Sequence, residues 1–202
     1  VFPRLFAGRT VDEIRLGELG RKAAERLVKY ALGEHVEPEV LAKILDRAVG
    51  NAFVLEEMIR AVAEHRSETL PETVLGMVEA RLASLPAEQR RALRAASIFG
   101  ETFCASGVCT LAFVNRHDEA SGILDKLVER EVLRVNGTNR LAGDREYSFR
   151  HALLREGTYA MLTAADRALG HELAAEWLES LGETDPVVLA EHWELAGKGV
   201  RA

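Results

Sequence analysis

Cysteine is almost missing from this chain: Cys104 and Cys109 are the only two among 202 residues. Two thiols without a leader segment do not make a disulfide framework. They read as reduced, buried residues of a cytoplasmic protein. They stand apart from any second cysteine pair, and His35, His65, His117, His171 and His192 are scattered with no His-x-x-x-His pair, so metal-ligand spacing is absent. No apolar run approaches the ~18 residues that span a bilayer. There is no Gly-x-x-x-x-Gly-Lys-[Ser/Thr]. Gly197-Lys198-Gly199 lacks both the earlier glycine and the hydroxyl residue, so it cannot cradle a phosphate. A Gly-x-Ser-x-Gly hydrolase elbow is missing too. Basic excess is also lacking: the net charge is −6 and the pI is near 5.6, which weighs against unaided binding to nucleic acid.

What is present is ordinary globular material, 48% hydrophobic and 29% charged, with aromatics at only 6%. Ala, Leu, Glu and Arg dominate, which favours helix. The chain opens at Val1 rather than at methionine, as an excised piece would, and absence of a targeting segment then has no bearing on the parent.

Val11–Leu16 alternates apolar and polar residues and predicts one strand. Three helices are expected next. The first, about Glu18–Leu32, places Ala24, Leu27, Val28 and Ala31 on one face and stops at Gly33. The second starts near Pro38 and turns Val40, Leu41, Ile44, Leu45 and Ala48 inward until Gly50. The third is capped by Asn51 and carries Val54, Leu55, Met58, Ile59 and Val62. Short connections favour a small bundle. The polar run His65–Leu70, ending at Pro71, marks a boundary.

Beyond it come helices at Glu72–Leu85, Pro86–Phe99, about Ser106–Phe113 and about His117–Arg130, with an extended piece at Thr102–Cys104. Val132–Val135 and Glu146–Phe149 alternate with period two around Asn136-Gly137 and Gly143-Asp144, which predicts a β-hairpin with a long tip. Three helices and a hairpin is the order of a winged-helix domain. The tail returns to helix at His151–Leu162, at Ala164–Leu181 with Leu169, Leu173, Trp177 and Leu181 on one stripe, and from Asp185-Pro186 onward with Leu189, Trp193 and Ala196 inward.

Five stretches together carry a further resemblance. Gly50-Asn51-Ala52-Phe53-Val54-Leu55-Glu56-Glu57 resembles the Gly-Asn-Pro-Phe-Phe-Leu-Glu-Glu stretch of STAND signal-transduction ATPases, with Ala52 where that pattern has proline. Phe149-Arg150-His151-Ala152-Leu153-Leu154-Arg155-Glu156 resembles the helix after the wing in the same superfamily. Glu13–Leu19, Leu70–Val74 with Glu79–Pro86, and Glu191–Gly197 follow in the same order as its lid entry, its winged-helix entry and its transition to a tetratricopeptide-like region. The closest flavour is the bacterial branch whose outputs are adenylate cyclases, kinases or LuxR-type domains.

The resemblance implies a mainly α regulatory fragment lying beyond the phosphate-binding core. Residues 1–16 would end an upstream nucleotide-binding sheet, 17–67 form a helical lid, 68–162 a winged helix with one hairpin, and 163–202 begin a sensor region. It also implies ATP or ADP bound by the parent rather than by this fragment, which itself would not be an enzyme. Gly50 and Asn51 would lie near the adenine and His151 near the β-phosphate. An imidazole suits that last role, since it donates to phosphate oxygen and titrates near neutral pH. The expected partners are the upstream domain of the same chain and a protein or effector. The third helix of the winged-helix domain, Asn115–Glu131, holds three cations against five carboxylates, so DNA binding by this fragment is not expected. A DNA-binding winged-helix regulator and a bare interaction scaffold are the alternatives.

Overall fold

The computed structural model describes residues 17–64, 73–113, 116–136, 144–182 and 185–199. It divides the chain into two compact units between Leu70 and Pro71. Among the described residues there are ten helices and one three-stranded antiparallel sheet. The strand expected at Val11–Leu16, the hairpin tip at 137–143 and the stretch 65–72 lie outside the described residues.

In the first unit α1 (Arg21–Leu32), α2 (Pro38–Ala48) and α3 (Ala52–Ala63) pack on one another. Pro38 sits in the first turn of α2, where its missing N–H costs nothing, and Asn51 caps α3. Ala24, Val28, Ile44, Leu45, Val54, Leu55 and Met58 form the core. Fully buried residues such as Val28 and Met58 each contribute about 1.5–3 kcal/mol relative to exposure. The predicted inward face of α1 needs correcting: Leu27 and Ala31 are exposed, and only Ala24 and Val28 are buried. Two neighbouring helices cover one narrow i, i+4 stripe of a third, and Leu27 and Ala31 fall on its flank.

The second unit opens with α4 (Val74–Ala83), capped by the Thr73 hydroxyl, and α5 (Ala87–Phe99) after Pro86. Then come β1 (Thr102–Cys104), α6 (Ala105–Ala112), α7 (His117–Glu129), β2 (Leu133–Val135) and β3 (Glu146–Phe149). α8 (Ala152–Ala160), α9 (Ala164–Ser180) and α10 (Pro186–Leu195) complete it. The strand order is β1-β3-β2. The extended piece at Thr102–Cys104 is therefore a third strand on the expected hairpin, with Phe103 opposite Tyr147.

This register puts Phe103, Leu133, Tyr147 and Phe149 on one face and Thr102, Cys104, Glu146 and Ser148 on the other. Phe103 stacks on Tyr147, with centroids 6.1 Å apart, and meets Phe149 edge-on at 5.7 Å. The Tyr147 hydroxyl donates to Asp125 Oδ1 of α7 at 3.0 Å, and Arg145 pairs with Asp125 Oδ2 at 2.9 Å. Burial, then the Asp125 bond, pushes the phenol up to about 12, so it remains a donor.

Two polar side chains fasten the ends of these elements. Arg81, only 5% exposed, reaches from α4 to the carbonyls of Arg130 and Glu131 at 3.0 and 3.2 Å. There it donates to carbonyls that immediately follow the last turn of α7. Asp144 accepts from the Ser106 amide at 3.1 Å and from its hydroxyl, placing an anion at the start of α6.

The packed face of α9 also differs from the leucine stripe. Leu169 and Leu181 are exposed, and the buried positions are His171, Ala174 and Ala175. Residues four apart turn about 400°, so a stripe of that spacing rotates off one face over three steps. Small residues there let α9 approach α5 and α6. α10 begins as the sequence implies: Asp185 Oδ1 accepts from the Val187 amide at 2.9 Å, and Trp193 is buried.

Helices α4 and α8 touch where Gly157 faces Val78, and a Cβ on Gly157 would stand 2.6 Å from Val78 Cγ1. Gly157→Ala is expected to destabilise the second unit by about 1–3 kcal/mol through overpacking. Gly122→Ala, on the open surface of α7 with no atom within 4 Å, is expected to stabilise it by up to about 1 kcal/mol. Urea denaturation of the two variants checks both signs.

Candidate functional site

The α2–α3 junction is built from two successive left-handed residues. Val49 has φ 44° and Gly50 φ 75°. This turn lets the Asn51 amide donate to the Ala48 carbonyl at 2.7 Å and lets Gly50 O accept from the Leu19 amide at 2.8 Å. Asn51 Oδ1 accepts from the amides of Phe53 and Val54 at 3.0 and 3.2 Å. A Cβ at Gly50 would meet Glu18 Cβ at 2.8 Å and Leu19 O at 3.1 Å. Gly50 therefore carries out two structural tasks at once, and Asn51 is an N-cap. Gly50 borders a cleft of about 360 Å³ with Glu18, Leu19, Arg21, Leu45 and Val49, and Asn51 does not line it.

His151 belongs to the second unit, so the structure places it on a different body from Gly50 and Asn51. It occupies the N-cap position of α8 with extended backbone, φ −139° and ψ 138°, and its ring does not cap the helix. Its carbonyl accepts from the Leu154 amide at 3.0 Å. The side chain is half-buried. β3 ends two residues earlier, so the sheet fixes where His151 enters the helix.

Sequence reasoning missed a buried polar chain. Tyr159 Oη lies 2.9 Å from His171 Nε2, and His171 Nδ1 lies 3.0 Å from His192 Nδ1. The two histidines are 3% and 7% exposed. One proton is shared between the facing Nδ1 atoms, so the tautomer of one ring fixes that of the other. Arg155 and Arg167 flank the Tyr159 ring at 4.9 and 4.5 Å. Burial first, then the charges of His192 and Arg155, hold His171 down at about 4, and burial also lowers His192. The histidines are twenty-one residues apart on consecutive helices, and neither stands in a motif, so nothing in the spacing joined them.

Among the described residues, the cations around the hairpin are engaged. Arg145 pairs with Asp125 at 2.9 Å, Arg150 with Glu131 at 3.0 Å, and Arg134 donates to the Ser148 hydroxyl at 2.8 Å. A duplex would have to displace Asp125 and Glu131 to reach Arg145 and Arg150. Among the described residues no group of three potential ligands could hold a metal ion, and no helix is long and apolar enough to cross a membrane.

Two outcomes are expected. A β-branched residue in the left-handed region is strained, so Val49→Gly should raise the stability of the first unit by about 0.5–1 kcal/mol, whereas Gly50→Ala should lower it by about 1–3 kcal/mol. Thermal and urea melts distinguish these signs. For the histidine pair, the folded state resists protonation that the unfolded chain accepts near 6.5, so stability is full above that pH and falls toward pH 4. Between pH 7 and 5 the loss should be on the order of 1–2 kcal/mol after solvent screening. His171→Gln should flatten that part of a urea-midpoint profile.

No protein-family model, curated protein or solved structure matches this chain.

Proposed function

We propose that this chain is the regulatory segment of an ATP/ADP-dependent signalling switch, closing over a nucleotide held by an upstream domain of the same polypeptide. One observation carries the reading: α5, α6 and α7 run into the β2–β3 pair, and β3 passes straight through His151 into α8. That order supports a winged helix from α4 to α8. The packed α9–α10 pair supports the start of a helical sensor region, and the α1–α3 bundle with its tight Gly50–Asn51 turn supports a lid.

In the closed state the His151 imidazole donates to a phosphate oxygen of ADP, and the Gly50–Asn51 turn lies against the base. Effector or protein binding favours the open arrangement and lets nucleotide exchange. A differential affinity of about 5.5 kcal/mol between the two states moves such an equilibrium from 1:99 to 99:1. The segment supplies no phosphate cradle of its own, so hydrolysis, where it occurs, belongs to the upstream domain.

Retention of a fluorescent ADP analogue by a longer polypeptide that includes the residues preceding Val1 tests this. His151→Ala is expected to speed ADP release at least about tenfold, the loss of roughly 1.4 kcal/mol of contact. His151→Gln, which keeps a donor, should restore part of it. Release unchanged in both variants overturns the role given to His151.

A further inference from the structure

The second unit contains a cleft of about 360 Å³ bordered by β1, the start of β3 and the facing surfaces of α9 and α10. Phe99 and Trp177 supply aromatic walls, edge-to-face at 5.4 Å. Glu146 and His192 supply the polar atoms that matter here. Glu146 is an anomaly. Its side chain is only 7% exposed, yet its hydrogen-bond partner is the neutral Asn136 amide at 3.0 Å, and among the described residues it forms no ion pair. Arg134, on the same sheet face, connects to it only through Ser148 and Asn136. A buried carboxylate normally has a cation beside it.

We propose that this cleft binds a small organic cation with an apolar body, its ammonium against Glu146 and its body against Phe99 and Trp177. Among the described lining residues Glu146 bears the one formal negative charge, and no Lys or Arg accompanies it. An anion would face that carboxylate uncompensated. A neutral ligand would leave it as it is. A cation neutralises it and gains attraction from the aromatic faces. His192 contributes hydrogen bonding without charge: burial lowers its proton affinity, and His171 engages its Nδ1, leaving Nε2 for the cleft. The ligand class is therefore a primary or quaternary amine bearing one ring or a branched alkyl group, and the volume accommodates it. The site excludes phosphates, so it stands independently of the nucleotide switch.

Three probes share one skeleton: phenethylamine, phenethyl alcohol and phenylacetate. Calorimetric titration of the 202-residue chain, with the fluorescence of Trp177 and Trp193 as a second readout, is expected to show saturable phenethylamine binding. Phenylacetate should bind at least about tenfold more weakly, and the alcohol should fall in between. Glu146→Gln keeps the bond to Asn136 and should weaken phenethylamine at least about tenfold while leaving the alcohol unchanged. Leu178→Trp, which fills the cleft, should abolish binding of all three. The proposal is overturned by an absence of saturable phenethylamine binding up to about 10 mM, by equal affinity for amine and alcohol, or by unaltered amine binding in Glu146→Gln. Should the Glu146 variant fail to fold, the ranking of the three probes on the unaltered chain decides alone.

Discussion

Strand β3 has to be hydrogen-bonded on both edges and covered on both faces, and the second unit is arranged around that demand. All four of its residues are buried. β1 and β2 satisfy its edges, and the Phe103–Tyr147–Phe149 cluster fills one face. A slip of one residue would exchange Tyr147 and Phe149 with Glu146 and Ser148, placing a carboxylate in the aromatic core. The register is further held by the Tyr147–Asp125 bond, which ties the strand to α7, and by Asp144 at the start of α6. Arg81 closes the end of α7 just before β2 begins.

Two of the places where chemistry is proposed hang from this strand. Glu146 opens β3 and faces the aromatic cleft. His151 follows its end by two residues and starts α8. Whatever moves β3 relative to α9 and α10 changes the cleft, and whatever moves it relative to α8 changes His151. A ligand at Glu146 and a phosphate near His151 would thus sit near opposite ends of one strand, and coupling between them would require that strand to have two arrangements that both ligands bias.

Much of the architecture was legible in the sequence. Pro38, Asn51 and Asp185 marked helix starts because capping chemistry is local. The period-two runs around residues 133 and 147 marked strands because alternation is local as well. β1 was visible only as an extended piece, since three residues carry no periodicity and the partner lies over forty residues away. The face of α9 was misread because its leucines were counted at a spacing of four, whereas alanines and a histidine fill the contact. The buried chain from Tyr159 to His192 and a Glu146 carboxylate with no ion pair among the described residues depend on tertiary placement, which no local pattern encodes. Gly50 and Asn51 were legible as the end of one helix and the cap of the next, and the tasks the structure shows for them are conformational.

Native-state hydrogen exchange measured amide by amide tests the central constraint most directly. If β3 organises the second unit, the amides of Tyr147, Ser148 and Phe149 exchange only through global unfolding and are among the slowest in the chain. If amides of α8 or α9 outlast them by more than about tenfold, the strand opens while the helices stay packed, and the account is contradicted.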